Sequence, residues 1–123
     1  MIILGDDLVP FEETSFIKEI ENIKNTKANS TILFDFNENF LKYSYENNLF
    51  VGVIVHTLKE ALYANALHAK YIICDKPLDK TIQDVAENYM FDSKILTIIE
   101  ASDELEIVAI DKIDGAIYKN LLG

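Results

Sequence analysis

The sequence contains few glycines, no arginine and no tryptophan. Its four glycines, Gly5, Gly52, Gly115 and Gly123, stand singly among 123 residues. A dinucleotide or triphosphate site built on a glycine-rich loop needs several glycines close together, because the backbone must approach the phosphates closely. The chain therefore has neither a Rossmann fingerprint nor a Walker loop.

Basic side chains are also scarce, and all eleven of them are lysine. With 21 acidic residues, the formal net charge is -10. Nucleic-acid binding depends on cations that displace the counterions of phosphates, and arginine is the side chain suited to contacting phosphate or guanine with two hydrogen bonds. The same negative charge repels anionic membrane surfaces. We therefore expect neither nucleic acid nor a membrane as a partner.

One cysteine, Cys74, is present, so no disulfide can form within the chain. Two histidines and one thiol also supply few of the ligands that a zinc site needs. Residues 1–7 lack the basic flank and the long apolar stretch of a signal peptide or a membrane span. These features predict a cytoplasmic protein.

The length and the apolar content predict one domain over residues 1–123. Half of the residues are apolar, which suffices for an ordinary core at this length, whereas a second full domain has no room. No linker, charge block or low-complexity segment interrupts the chain.

Six apolar runs of strand length alternate with segments of helical periodicity. The runs are Met1–Leu4, Thr31–Phe36, Phe50–Val55, Tyr71–Cys74, Ile95–Ile99 and Gly115–Tyr118. They are mostly continuous, which is typical of a parallel sheet covered by helices on both faces. A helix is expected in every connection, including the first, where Phe16, Ile20 and Ile23 form one stripe. The pattern predicts an α/β fold.

Two segments of the second half repeat one unit. Residues 53–73 and 96–118 each consist of a strand, a polar residue at its end, a capped helix with an acidic first turn, and the next strand. In the first unit, residues 55–61 have the sequence V-H-T-L-K-E-A, in which Thr57 with Glu60 three residues later predicts a helix cap. Over residues ~50–119 the chain resembles the β-α-β units of phosphate-binding (β/α)8 barrels such as indole-glycerol-phosphate synthase and thiamine-phosphate synthase.

Two arrangements of the sheet follow from the resemblance and the length. A complete barrel of that type needs about 200 residues or more, and 123 residues are little over half of that. We favour an open three-layer α/β/α sandwich, flavodoxin-like or Rossmann-like, with a mostly parallel sheet of about six strands. The alternative is half of a (β/α)8 barrel, which leaves two long sheet edges bare unless it dimerises.

Ionisable residues lie at the carboxyl ends of the predicted strands, where parallel sheets bind ligands. Asp6, Asp7 and Asp35 are candidate ligands for Mg²⁺. His56 and Cys74 end neighbouring runs, so a base and a thiol could meet there as catalytic groups. The remaining candidates for ligand contacts at this rim are Asp75, Glu100 and Lys119. Helix capping accounts for acidic residues at the same positions without any ligand.

Three functions are compatible with this pattern. The leading hypothesis is a binding or interaction module, acting as a homo-oligomer or by binding a small ligand or partner at the rim. The alternative is a divalent-metal-assisted enzyme acting on a phosphorylated small molecule, with His56 as its acid or base. The third is a receiver-like regulatory domain, suggested by Asp6 and Asp7. Binding leads because the chain lacks a glycine-rich phosphate loop, an arginine and any complete catalytic motif.

Overall fold

The chain folds into a curled, all-parallel sheet with helices on its outer face. The structure, a computed structural model, describes residues 1–26 and 29–123, and within these ranges the chain forms seven strands and four α-helices. The strands are β1 (Ile2–Leu4), β2 (Thr14–Phe16), β3 (Thr31–Asp35), β4 (Val51–Ile54), β5 (Tyr71–Cys74), β6 (Lys94–Ile99) and β7 (Gly115–Tyr118). The helices are α1 (Glu38–Glu46), α2 (Leu58–Ala66), α3 (Leu78–Asn88) and α4 (Leu105–Ile110), with 3-10 turns at Ile20–Asn25, Ser102–Glu104 and Lys119–Leu122.

The strands follow one another in sequence across the sheet. Their order is β1-β7-β6-β5-β4-β3-β2, and every neighbouring pair is parallel. The α/β class and the open parallel sheet are therefore confirmed, with seven strands rather than about six. The arrangement is the half-barrel alternative, because right-handed connections between successive neighbours keep all the helices on one face. The doubly wound order shared by flavodoxin-like and receiver-like domains is absent from the described strands.

Two apolar cores lie on the two faces of the sheet. The outer core joins strand residues such as Phe34, Ile72 and Ile95 to the helix residues Leu41, Ala61, Ile82 and Val108. The inner core consists of Leu4, Leu33, Ile54, Tyr71, Ile73, Leu96 and Ile117. Phe16 and the last-turn residues Leu121 and Leu122 pack against this inner core. The sheet thus buries its concave face by curling on itself. Because both faces of the strands are buried in this way, the strands are continuous apolar runs although helices cover only one face.

The prediction of a helix in the first connection is wrong. Residues 14–16 form β2 and residues 20–25 form a 3-10 turn instead. β2 pairs with β3 in the register Thr14↔Thr31 and Phe16↔Leu33. Of the predicted stripe, only Ile23 is buried, so pairing with β3 outweighs a weak helical periodicity.

Close backbone packing holds the edge strand β1 against β7. β1 lies against Gly115 of β7, where an added Cβ would stand 2.3 Å from the carbonyl oxygen of Ile2. A residue without a side chain is therefore required at this position.

In residues 1–26 and 29–123, no helix has the length and apolarity needed to cross a membrane.

Candidate functional site

The carboxyl ends of the strands lie at one end of the half-barrel, which we call the mouth. The ionisable residues that end or follow the strands there are Asp6, Asp7, Lys18, Asp35, His56, Asp75, Lys76, Glu100 and Lys119. Parallel pairing directs all these strand ends to the same side, so the topology places the predicted rim residues around one opening.

Asp6 shapes the loop that follows β1. Its Oδ1 accepts hydrogen bonds from the amides of Leu8, at 2.7 Å, and Val9, at 3.3 Å, while its Oδ2 accepts one from the Tyr118 hydroxyl at 2.7 Å. The Tyr118 hydrogen bond, followed by that from Leu8, lowers the pKa of Asp6 below its ordinary value. The same contact raises the pKa of Tyr118 to about 12. Asp6 therefore stays ionised and organises a turn.

The three predicted metal ligands do not form a cluster. Asp35 ends β3, and four strands lie between β3 and β1, which carries Asp6 and Asp7 at its end. Within residues 1–26 and 29–123, no group of three or more histidine, cysteine, aspartate or glutamate side chains is arranged to hold a metal ion. The geometry thus gives the predicted Mg²⁺ site no support.

Asp35 contacts His56 instead of the other two aspartates. The His56 Nε2 atom lies 3.2 Å from Asp35 Oδ1, and both side chains are 66% exposed. The His56 amide donates to the Glu60 carboxylate at 2.8 Å. The Thr57 hydroxyl accepts a hydrogen bond from the Glu60 amide at 3.1 Å and is the predicted cap of α2. This exposed contact joins the ends of β3 and β4, where water competes with it.

Cys74 and His56 do not form a catalytic pair. Cys74 is fully buried in the outer core beneath the helices, whereas the His56 ring is exposed at the mouth. Burial, with the charges of Asp79 and Asp75, raises the pKa of the Cys74 thiol to about 12. The thiol therefore stays protonated and packs as a small apolar side chain.

The lysines at the ends of β5 and β7 have acidic neighbours. Lys119 Nζ lies 3.4 Å from Glu100 Oε1, and both side chains are exposed. The Glu104 carboxylate accepts hydrogen bonds from the amides of Glu100, at 2.7 Å, and Ala101, at 2.9 Å. These two hydrogen bonds, and then the charge of Lys76, lower the pKa of Glu104 below its ordinary value. Neither lysine therefore offers an unopposed positive charge to an anionic ligand.

Two cavities open at this side of the mouth and share Glu100. The larger, which we call the acidic cavity, has a volume of about 680 Å³ and is lined by Asp6, Asp7, Leu8, Glu100, Leu105 and Tyr118 among others. The second has a volume of about 550 Å³ and is lined by Asp75, Lys76, Glu104 and Lys119 around Ile98 and Leu122. Both volumes fall within the roughly 300–1,000 Å³ that is usual for small-molecule sites.

A polar cluster at the opposite end of the half-barrel is not signalled by the sequence pattern. Glu12 accepts hydrogen bonds from Thr31, from Tyr71 and, at 2.8 Å, from Lys70. Burial alone would raise the pKa of Glu12, but these hydrogen bonds lower it below its ordinary value. The cluster ties the segment before β2 to the starts of β3 and β5, and sequence separations of 19 to 59 residues hide it from local analysis.

Two buried polar atoms without partners were also not anticipated. Asp79 Oδ2 in α3 and Thr97 Oγ1 in β6 are buried and accept or donate no hydrogen bond among the described residues. Thr97 is paired with Cys74 across β5 and β6. Both residues are fully buried, so they add nothing to a solvent-accessible site.

The fold and the mouth together define a small parallel half-barrel with an acidic ligand-sized opening. Comparison with known protein families gives no match. Comparison with curated proteins likewise gives no significant similarity.

Proposed function

We propose that this half-barrel is a binding module whose mouth takes a small organic cation, an amine carried on a short apolar body. The observation that supports the proposal is the composition of the acidic cavity. Asp6, Asp7 and Glu100 contribute carboxylates to it, and no basic side chain of the described residues lines it. A site of this composition attracts positive charge and repels negative charge.

The charge state of the cavity supports a cationic ligand. Tyr118 and the loop amides keep Asp6 ionised by lowering its pKa. The contact of Glu100 with Lys119 is long, at 3.4 Å, and exposed, so it offsets only part of the Glu100 charge. The chain as a whole carries a formal charge of -10, which raises the local concentration of cations further.

The apolar side chains that line the cavity favour a ligand with a hydrocarbon body. Leu8, Val9 and Leu105 line the same cavity as the three carboxylates. An inorganic cation gains nothing from such walls, whereas an alkyl amine buries its carbon atoms against them. This difference favours an organic amine over a bare divalent ion.

The same observations bear on the phosphate-binding resemblance and on the enzyme alternative. A phosphorylated ligand would need cationic contacts, and Lys119 and Lys76 each lie near a carboxylate. A divalent metal would need clustered ligands, which the described residues do not provide. We therefore prefer binding to catalysis, in a protein that we place in the cytoplasm because it has a single cysteine.

Three four-carbon molecules with different head groups test the ligand class. Butylamine, butanol and butyrate would each be titrated into the ¹⁵N-labelled protein, and amide shifts would be followed by NMR. We expect butylamine to bind at least about tenfold more tightly than butyrate, the factor that corresponds to 1.4 kcal/mol. The shifted amides should be those of residues 5–9 and 100–102, which line the acidic cavity.

Matched variants locate the site. Asp7→Asn should weaken butylamine binding several-fold, whereas Asp103→Asn, a neighbouring acidic residue outside the cavity lining, should leave it unchanged. Equal binding of butylamine and butyrate, or amide shifts elsewhere, would reject the cationic site. A Mg²⁺ titration followed by thermal melting tests the enzyme alternative, which predicts about 2.7 kcal/mol of stabilisation at 100 times the dissociation constant.

A further inference from the structure

A cavity of a different character lies between α1 and α2, and we call it the aromatic cavity. Its volume is about 480 Å³, within the roughly 300–1,000 Å³ that is usual for small-molecule sites. Three aromatic rings, two leucines and three charged side chains line it, namely Phe36, Tyr45, Tyr63, Leu41, Leu67, Glu38, Lys42 and Glu46. None of these residues lines the acidic cavity, so the two sites are separate.

Helical spacing brings the apolar side chains of this cavity together. Leu41 and Tyr45 stand four residues apart on α1, and Tyr63 and Leu67 stand four residues apart at the end of α2, so each pair shares one helix face. The Phe36 ring lies 6.5 Å from the Tyr63 ring, with the two planes inclined by 36°. Leu41 is buried in the outer core, whereas Tyr45 and Tyr63 are about half exposed. The tyrosine rings therefore keep surface that a ligand could cover.

The charges around the aromatic cavity balance one another. Glu38, Lys42 and Glu46 follow at four-residue steps along α1, and all three are exposed. On the side of α2, the ammonium group of the exposed Lys59 lies 6.0 Å from the centre of the Tyr63 ring. Two carboxylates thus face two ammonium groups in contact with water. An ionic ligand of either sign gains little from such a rim, in contrast to the acidic cavity.

We propose that the aromatic cavity binds a flat, uncharged aromatic molecule. Aromatic rings pair with one another more favourably than their buried area alone predicts, and Phe36, Tyr45 and Tyr63 offer three rings at this one site. A saturated ring of the same size would cover similar apolar surface without this additional attraction. The lining therefore favours aromatic over aliphatic ligands, and the balanced rim favours neutral over charged ones.

Three molecules with the same two-ring carbon skeleton test the proposal: 2-naphthol, its saturated counterpart decahydro-2-naphthol, and the anion 2-naphthoate. Each would be titrated into the ¹⁵N-labelled protein at pH 7, and amide shifts would be followed by NMR. We expect 2-naphthol to bind at least about threefold more tightly than decahydro-2-naphthol. The net charge of -10 should make 2-naphthoate the weaker of the two aromatic ligands.

The position of the shifts separates this site from the mouth. 2-Naphthol should shift the amides of residues 38–46 and 63–67 along a saturable curve, and it should leave those of residues 5–9 unchanged. Butylamine, the probe of the acidic cavity, should do the reverse. Failure of one site therefore leaves the test of the other intact.

Two variants and a control locate the binding site. Tyr63→Leu and Tyr45→Leu each remove an aromatic ring from a half-exposed position, and each should weaken 2-naphthol binding several-fold. Tyr89→Leu makes the same replacement at an exposed residue outside the lining and should leave binding unchanged. Thermal melting checks that each variant folds.

Equal affinities for 2-naphthol and decahydro-2-naphthol would overturn the proposal. Shifts that do not saturate, or that lie outside α1 and α2, would also overturn it. So would 2-naphthol binding that is unchanged in both Tyr45→Leu and Tyr63→Leu.

Discussion

The Tyr118 hydroxyl donates a 2.7 Å hydrogen bond to Asp6 Oδ2, joining the end of β7 to the loop after β1 across 112 residues of sequence. The bond connects the edge strand β1 to β7, the strand with which it pairs, at the level of the mouth. It also forms one wall of the acidic cavity, since both residues line it. The geometry of the proposed ligand site thus depends on this contact.

Removing the Tyr118 hydroxyl should change how Asp6 titrates. In Tyr118→Phe we expect the pKa of Asp6 to rise, because the hydrogen bond that lowers it most is gone. A lowered folded-state pKa means that ionised Asp6 stabilises the fold above its unfolded pKa, and that this stabilisation is lost as pH falls through the folded pKa. The variant should therefore lose less stability on acidification than the wild type.

NMR titration of the Asp6 carboxyl carbon measures the pKa directly, and melting temperature against pH measures the stability. Tyr89→Phe, which alters an exposed tyrosine, is the control and should reproduce the wild-type titration. An Asp6 pKa that is unchanged in Tyr118→Phe would contradict the prediction.

Glu12 should contribute substantially to stability. In Glu12→Gln the charged acceptor for Thr31, Lys70 and Tyr71 is lost, and we expect the free energy of unfolding to fall by about 1.5–3 kcal/mol. Because the folded pKa of Glu12 is lowered, its contribution is present above its unfolded pKa and disappears as pH falls through the folded pKa. The variant and the wild type should then converge in acid.

Urea unfolding at neutral and at acidic pH measures this difference. Glu87→Gln, an exposed residue of α3, should change stability by less than about 0.5 kcal/mol. A deficit in Glu12→Gln that persists unchanged in acid would show that the carboxylate charge is not its cause.

Thr97→Val should be neutral or stabilising, by up to about 1 kcal/mol, because it replaces a buried hydroxyl that has no hydrogen-bond partner among the described residues. Thr31→Val makes the same replacement where the hydroxyl donates to Glu12, and it should destabilise the protein by about 1 kcal/mol or more. Urea unfolding of the two variants side by side distinguishes these cases. Destabilisation of both by the same amount would indicate that Thr97 has a partner, such as a buried water.

Cys74 should not react in the folded protein. Burial raises the pKa of its thiol to about 12 and shields the sulfur from solvent, so iodoacetamide at pH 8 should label it only after unfolding in urea. Mass spectrometry of native and unfolded samples gives the labelled fraction. Rapid labelling of the native protein would restore the thiol as a candidate catalytic group.

Local sequence patterns predicted most of the strands and helices well. Tyr71–Cys74 and Gly115–Tyr118 form β5 and β7 with the predicted bounds, and Thr57 caps α2 as expected. These features depend on residues two to four positions apart, whose preferences act within a single element. β2 was missed because its three residues become a strand only by pairing with β3.

The contacts of the mouth were not predictable in the same way. The sequence indicated that ionisable residues gather at the strand ends, but it did not indicate that Asp35 would contact His56 or that Asp6 would contact Tyr118. Sequence spacing cannot assign such partners, because neighbouring positions at an opening depend on strand order and on the curl of the sheet.

The amino-acid sequence alone determined that the chain is acidic, forms an α/β domain with parallel strands and lacks a glycine-rich phosphate loop. These properties follow from composition and from periodicities that each element carries by itself. The tertiary structure decided between the sandwich and the half-barrel, left Cys74 buried, separated Asp6 from Asp35 and left the β2 edge open. Those outcomes arise when the sheet curls to bury its concave face, which brings together residues from distant parts of the chain.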